Sequence, residues 1–462
     1  MRDLLKKALS KTSASYADAY YEDRHSLAIT FAGKKLKDVS TTTLNGGRFR
    51  ALKGGGSAYS SYTDLKKMDE SLKSAENTAF DMSKHQKRPI ELAAAPVIDD
   101  VVKATPEIDP RDITFNEKRT LAQKYNDLIL SNEKVYTTLL TYNEVVTKKY
   151  FVNTEGTMID QEVILCRISA RIIAKNGSTI QSTGISLGFD EDYKKLLDRE
   201  ADIENQAKIT VDLLDAEPVK GGVYTILCNP FLAGIFTHEA FGHLSEADSL
   251  YDIQSIVDLM KIGKVMGKPI LNIVDQGNLK GASGTYKYDD EGIPTQKTYL
   301  IKDGILTGRL LSREMASVFG GKPTGNLRAT DYRLNPIVRM SNIFIENGES
   351  TYEDMLESID DGLYLCQGKG GQTMGDLFTF GAQYGYKIKN GKLGKMIRDI
   401  NISGNVFSTL KNIVAIGNDF EIIETGGCGK SKAGLFYMQM LDKSGMLSPH
   451  VKIKDVVIGG KE

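Results

Sequence analysis

The chain has 462 residues, enough for two or three domains that each bury a hydrophobic core. Its 59 Lys and Arg residues balance 60 Asp and Glu residues, so no global positive field exists to recruit nucleic acid. Four scattered cysteines without a Cys-x-x-Cys pair, and the lack of a long apolar run or a signal-peptide core, predict a cytoplasmic protein with neither a nucleic-acid nor a membrane partner.

The first half of the sequence is predicted to form a mixed α and β domain. Glycine turns separate three strands at about residues 27–31, 48–52 and 58–62, and a helix with an apolar stripe follows over residues 65–79. Four prolines between residues 88 and 112 predict a linker. Thr114 and Glu117 form a capping box for the next helix. Strand-like alternation then covers about residues 135–187, and a charged helix is predicted for about 190–214.

A Glu-Pro-Val-Lys-Gly-Gly segment at residues 217–222 predicts a domain boundary. It separates an N-terminal α+β domain, residues 1–217, from a β-rich domain, residues 218–462, so the predicted fold class is α+β. The second domain begins with a buried strand at residues 223–228, after which Asn229 fits the N-cap and Pro230 the first position of a helix. The acidic run at residues 289–291 is predicted to be an exposed turn.

That helix leads into the most informative segment, Thr-His-Glu-Ala-Phe-Gly-His-Leu-Ser-Glu-Ala-Asp at residues 237–248. Zinc proteases commonly place two histidine ligands four residues apart, with a glutamate after the first as general base. Here His238 and His243 flank Glu239 but stand five residues apart, so a regular α-helix would turn the imidazoles roughly 140° away from each other. Both rings can meet one ion only if the helix widens by one residue, as in a single π-type turn, or ends there, and Gly242 would ease either distortion.

A catalytic zinc needs a third protein ligand and an open position for water. Two candidates remain open on the residues alone. Cys428 lies in a glycine-flanked turn that could bring a thiolate to the ion, and Glu246 could ligate the ion or hold an imidazole from behind. The other cysteines are predicted to be small buried apolar residues: Cys166, Cys228 and Cys366.

The chain resembles the TldD/PmbA family of metalloproteases, in particular its metal-binding TldD-like branch. The resemblance rests first on His238, Glu239 and His243 with Glu246 and Asp248, and it covers nearly the whole chain. Further matching segments are Asn45-Gly46-Gly47-Arg48-Phe49-Arg50, Tyr288-Asp289-Asp290-Glu291-Gly292, Thr324-Gly325-Asn326-x-Arg328, Pro336-x-x-Arg339-Met340-x-Asn342, Gly362-Leu363-Tyr364 and Gly426-Gly427-Cys428-Gly429-Lys430. After Lys430 the family usually continues with Gly-Gln, whereas this chain has Ser-Lys-Ala-Gly at residues 431–434.

The resemblance implies one zinc per chain, with His238, His243 and Cys428 as ligands and Glu239 as the general base on the zinc-bound water. Glu246 then holds a ligand from behind or contacts substrate. The resemblance also implies hydrolysis of unfolded or extended peptides by a homodimer, or by a heterodimer with a metal-free paralogue. Two alternative functions are a scaffold subunit with a structural zinc and a hydrolase of a non-peptide amide.

Overall fold

A computed structural model describes residues 1–251, 253–424, 426–430, 439–441 and 443–460 of the chain. Residues 431–434, where the sequence departs from the family pattern, lie outside these ranges. Both halves of the chain combine helices with mainly antiparallel sheets, which confirms the α+β class. None of the helices in the described ranges is long and apolar enough to cross a bilayer.

The N-terminal half is a seven-stranded sheet with helices packed on it. The strand order is β3-β2-β1-β5-β6-β4, with β7 also paired to β6, and only the β4–β6 pair is parallel. The elements are α1 Arg2–Leu9, β1 Tyr16–Ala32, β2 Lys35–Lys53, β3 Gly56–Tyr62, α2 Met68–Ser83, β4 Asp99–Val102, α3 Phe115–Leu130, β5 Val135–Asn153, β6 Met158–Asn176, β7 Thr179–Asp190 and α4 Glu200–Asp212.

The two faces of this sheet differ in chemistry because side chains alternate along each strand. On β1, Ala17, Tyr21 and Ile29 join the apolar clusters formed with the four helices. Asp18 and Glu22 point to the opposite face and are also buried. The helices therefore cover one face of the sheet, and the polar face packs against the C-terminal half.

The predicted strands and helices of the N-terminal half are present, but the segment predicted as a linker, residues 88–112, also contributes strand β4 to the sheet. The strands are longer than predicted, and the capping box formed by Thr114 and Glu117 is confirmed. The predicted helix at 190–214 is wrong in its first part, because a 3₁₀ turn at Tyr193–Leu196 precedes α4. Asp198 separates the two with a left-handed backbone, φ 56°, which a continuous right-handed helix excludes.

The C-terminal half holds an eight-stranded sheet ordered β16-β9-β24-β19-β17-β18-β8, with β20 paired to β24, and a five-stranded sheet ordered β12-β11-β10-β15-β23. Two short pairs are added, β13–β14 and β21–β22. The strands are β8 Glu217–Pro218, β9 Gly222–Cys228, β10 Ile273–Gln276, β11 Lys297–Lys302, β12 Ile305–Leu306, β13 Leu327–Arg328, β14 Ile337–Val338, β15 Asn342–Ile345, β16 Asp361–Met374, β17 Leu377–Lys389, β18 Lys392–Arg398, β19 Ile400–Asn405, β20 Ile413–Ile416, β21 Cys428–Lys430, β22 Gln439–Leu441, β23 Gly445–Leu447 and β24 Val451–Gly459.

Short helices connect these strands, and the largest apolar cluster lies between them. Phe236 and Phe241, from the segment that carries the histidines, are fully enclosed in that cluster. The helices are α5 Pro230–Phe236, α6 Ala247–Leu250, α7 Gln254–Leu259, α8 Arg313–Phe319, α9 Tyr352–Glu357 and α10 Val406–Lys411.

The acidic run at residues 289–291 is buried, so the prediction of an exposed turn is wrong. It lies against the polar face of the N-terminal sheet. Arg48 approaches Asp290 at 3.4 Å, and Arg50 approaches Glu291 at 3.5 Å. These partners are more than 200 residues apart in sequence. A prediction from the residues next to the acidic run therefore could not identify the arginines that bury it. The run joins the two halves of the chain.

Candidate metal centre

The segment carrying the two histidines is mounted on the large C-terminal sheet. Strand β9 leads directly into helix α5, whose N-cap Asn229 accepts a hydrogen bond from the backbone N–H of Leu232 at 3.0 Å. Pro230 occupies the first helical position, where the absent N–H costs nothing. The predicted strand, cap and helix start are therefore confirmed, but the strand is buried only at residues 226–228, and Val223 is 64% exposed.

The helix then widens by one residue. Thr237–Gly242 forms a π turn, in which the backbone N–H of His243 bonds to the carbonyl oxygen of His238 five residues earlier. The two imidazole rings consequently lie on one side, with their centroids 5.0 Å apart. Of the two arrangements that the five-residue spacing allows, a widened turn or a helix end, the structure shows the π turn, and a 3₁₀ turn at His243–Ser245 ends the segment.

Gly242 is needed for space rather than for backbone freedom. Its φ of −57° is ordinary for a helix, so the expectation that glycine eases the turn conformationally is not what the structure shows. A Cβ at this position would lie 2.1 Å from the Sδ of Met340 and 2.9 Å from the Cδ1 of Ile343. The widened turn therefore packs directly against the chain that enters β15.

Cys428, the first residue of β21, completes a compact group of donors. Its Sγ lies 3.0 Å from Nε2 of His238 and 3.5 Å from Nε2 of His243. All three donor atoms lie within 4.8 Å of one another. Ligands of a tetrahedral zinc are separated by roughly 3.5 Å, given Zn–S and Zn–N bonds of roughly 2.3 and 2.1 Å. The spacing and the donor types fit zinc.

The charge state of Cys428 also suits a metal ligand. Burial alone raises the pKa of this thiol, but the imidazoles of His238 and His243 lower it by more, and its net pKa is well below the usual value. Burial lowers the pKa of His243, whereas Cys428 and Glu246 raise it, to about 10 overall. An ion bound here would take the place of protons that otherwise balance the thiolate.

Glu246 lies behind His243 and away from the thiolate. Its Oε2 is 3.0 Å from Nδ1 of His243, which leaves Nε2 of the same ring directed toward Cys428. Lys430 lies 3.1 Å from this carboxylate and 2.7 Å from that of Asp248. Burial raises the pKa of Glu246, but Lys430 and His243 lower it by more, so the buried group is ionised. The structure thus places Glu246 where it orients a histidine.

Two buried cations in this arrangement were not assigned a role from the sequence. Lys430 holds Glu246 and Asp248 together, and it also donates to the carbonyl oxygen of Val338. Arg339 donates to the carbonyl oxygens of Cys428 and Gln439, which fixes the β21–β22 pair. The sequence indicates a role for Lys430 and Arg339 only in that both lie in segments that resemble the TldD/PmbA family.

Glu239 and His243 are half buried, whereas His238, Glu246 and Cys428 are buried. Glu239 lines a cavity of about 560 Å³ together with His243 and Lys430. It also lines a larger groove of about 1030 Å³, which runs between the sheet of the N-terminal half and strand β16. A carboxylate in this position can reach a molecule in either space. Glu246 also lines the smaller cavity, so the donor group borders that cavity through His243 and the larger groove lies next to it at Glu239.

Comparison with known proteins gives a consistent result. Three domains of the PmbA/TldA metallopeptidases match: domain 1 over residues 17–83, the central domain over 108–214 and the C-terminal domain over 221–460. A metalloprotease of Synechocystis sp. is 34% identical over 97% of this chain and 96% of the relative. A zinc metalloprotease TldD homologue of Saccharolobus solfataricus is 32% identical over 76% and 78% of the two chains.

Solved structures share the fold at lower sequence identity. A proposed modulator of a DNA gyrase from Thermotoga maritima superposes with a TM-score of 0.80, 18% identity and 99% coverage of both chains. TldE from Thermococcus kodakarensis superposes with a TM-score of 0.73, 17% identity and 99% coverage of both chains. These similarities extend over both halves of the chain.

Proposed function

This chain belongs to the PmbA/TldD family of metallopeptidases, and we propose that it is a zinc-dependent peptidase acting on unfolded or extended peptides. The observation that carries the proposal is the convergence of His238, His243 and Cys428, with Glu239 open to two adjoining spaces. In this proposal the three converging residues hold one zinc per chain. When bound, zinc would polarise the scissile carbonyl group and lower the pKa of the attacking water.

The proton transfer and the orientation of the ligands are assigned to residues of the chain. Glu239 accepts a proton from the attacking water on its carboxylate and delivers that proton to the nitrogen of the departing amine. Glu246 fixes the orientation of His243 through Nδ1, and Lys430 keeps Glu246 ionised. His238 and Cys428 are buried away from solvent, while the spaces beside Glu239 and His243 admit the peptide.

A structural zinc would require a closed set of four ligands. Three donors converge here among the described residues, and Glu246 is engaged with the far nitrogen of His243. This arrangement favours a site with an open position over a structural one. Hydrolysis of a non-peptide amide would use the same residues, so parallel assays on peptides and on small amides distinguish the two substrate classes.

Strand β16 offers a natural partner for an extended substrate. In the described pairings, residues 371–374 are bonded to β17 on one side, and Gly371 lies next to the side chain of Glu239. A peptide adding along this strand would be bound mainly through its backbone, which tolerates many sequences. We propose this mode of binding for unfolded segments.

Assembly and location belong to the same proposal. We propose a cytoplasmic homodimer, or a heterodimer with a metal-free paralogue. The four cysteines are unpaired and buried, which suits a reducing compartment. Sedimentation of the purified chain alone, and again with the paralogue, distinguishes the two assemblies.

The proposed function is tested first with Glu239→Gln. We expect turnover of an unfolded peptide to fall by about 10²- to 10⁴-fold, because the substitution removes the general base. The zinc content should stay at that of the wild type, since Glu239 is not among the converging donors. Elemental analysis and peptide hydrolysis are measured on the same preparation. Appreciable turnover by this variant would contradict the role assigned to Glu239.

A further inference from the structure

The π turn changes the hydrogen bonding of one backbone acceptor, the carbonyl oxygen of Glu239. In an α-helix, the N–H of His243 would bond to the carbonyl oxygen of Glu239, four residues earlier. Here that N–H bonds instead to His238. The carbonyl oxygen of Glu239 accepts a hydrogen bond from the hydroxyl group of Thr373, on strand β16. A side chain from the sheet thus supplies the bond that the widened turn gives up.

The same strand also contacts the side chain of Glu239. A Cβ on Gly371 would lie 2.8 Å from Cγ and 3.1 Å from Cδ of Glu239. These distances are shorter than ordinary van der Waals contacts, and the added Cβ would also lie 3.0 Å from Cβ of Phe380 on β17. Because Phe380 limits movement on its side, a larger residue at 371 would displace the more flexible side chain of Glu239. Thr373 and Gly371 therefore bracket Glu239, one at its backbone and the other at its side chain.

From these two contacts, we propose that Thr373 and Gly371 are positioning residues for the proposed general base. Thr373 fixes the backbone of Glu239 within the π turn, and Gly371 leaves the space in which its carboxylate faces the reacting water. This inference rests on the proposed function, because it assigns a role through Glu239. A positioning role for these two residues also gives a reason for the contact of β16 with the widened turn, in addition to its pairing with β9 and β17.

Thr373→Val tests the backbone contact because it keeps the shape of the side chain and removes the hydroxyl donor. We expect kcat to fall roughly tenfold, the size of one lost hydrogen bond, with KM and zinc content within about twofold of wild type. Thr373→Ser restores the donor and should recover most of kcat. Thr379→Val, half-buried on β17 opposite Gln372, is the matched control and should behave as wild type.

Gly371→Ala tests the side-chain contact independently. We expect kcat to fall by about 10²-fold, since a misplacement on the scale of 1 Å can have this effect. Gly221→Ala is its control, because a Cβ there would have no neighbour nearer than 3.7 Å. In the Glu239→Gln background, neither Thr373→Val nor Gly371→Ala should lower the residual rate further, since both act through the carboxylate that is already gone.

The outcomes separate this inference from the proposed function. If Glu239→Gln is inactive while Thr373→Val and Gly371→Ala keep kcat within twofold of wild type, the positioning roles are wrong and the general base stands. If Thr373→Ser loses as much kcat as Thr373→Val, the hydroxyl is not the relevant group, and the role of Thr373 is wrong. Wild-type turnover by Glu239→Gln would overturn the proposed function itself.

Discussion

At the scale of single residues, the site depends on one thiol held between two imidazoles. The Sγ of Cys428 lies within 3.5 Å of Nε2 of both His238 and His243. Removing this sulfur leaves two imidazoles, which are fewer ligands than a stably bound zinc requires. Replacing Cys428 therefore tests whether zinc is held by His238, His243 and Cys428, because that centre would lose its zinc.

Cys428→Ala is expected to lower the zinc content from about one ion per chain to well below one. The measurement is elemental analysis after gel filtration, with far-ultraviolet circular dichroism to verify folding. Cys166→Ala is the matched control, because Cys166 is also buried and lies on β6 of the other sheet. Full zinc retention by Cys428→Ala would reassign the third ligand, with Glu246 as the next candidate.

At the scale of secondary structure, the π turn both brings the two histidines together and packs against the rest of the C-terminal half. Its inner side rests on Met340 and Ile343, and its outer side contacts strand β16 through Thr373. A turn held from two sides keeps its geometry without a bound ion. Such a prearranged site lowers the cost of ordering the ligands when metal binds.

Gly242→Ala should disturb this unit from the inner side. The added methyl group would overlap the Sδ of Met340, so we expect a loss of about 1 to 3 kcal/mol in the free energy of unfolding. Denaturant unfolding measures this loss, and zinc content should fall in parallel. Combining Gly242→Ala with Met340→Ala should destabilise by less than the sum of the single changes. Strict additivity would show that the two side chains do not meet.

At the scale of the whole molecule, buried charges join the two halves of the chain. Arg48 and Arg50 from β2 face Asp290 and Glu291 of the C-terminal half. Asp18 on β1 lies in the same buried region, where burial raises its pKa to about 6 against the opposing effect of Arg50 and Arg48. The contact between the halves therefore contains carboxyl groups that are harder to ionise than in the unfolded chain.

The raised pKa of Asp18 determines whether the free energy of unfolding rises or falls with pH. A carboxyl group whose pKa rises on folding, from 3.8 to about 6 for Asp18, takes up a proton on folding between those pH values. Its contribution to stability is therefore lost as the pH rises through this window. Between pH 4.5 and 7.5, the wild type should lose about 2 kcal/mol relative to Asp18→Asn in urea unfolding. Parallel curves for the two proteins would contradict the shift, and Asp69→Asn, at an exposed position, is the control.

Much of the local structure was predictable because its causes are close together in the sequence. Asn229 and Pro230 specify the start of helix α5, and the five-residue spacing of His238 and His243 allows a common ion only if the helix widens or ends there. Thr114 and Glu117 specify their cap in the same way. In each case the interacting groups are at most five residues apart, so the backbone geometry of one turn decides the outcome.

The sequence by itself determined the α+β class, the helix that carries the histidines and the need for that helix to widen or end between them. The residues alone left Cys428 and Glu246 open as the third ligand and the resemblance implied Cys428, but only the tertiary structure shows Cys428 beside His238, 190 residues away. It also placed Thr373 against Glu239, 134 residues away, a contact that the sequence did not indicate. It also buried residues 289–291 against arginines of the N-terminal sheet, where the sequence favoured an exposed turn. The physical reason is that hydrogen bonding within a turn is set by neighbouring residues, whereas burial and long-range contacts are set by how the sheets pack.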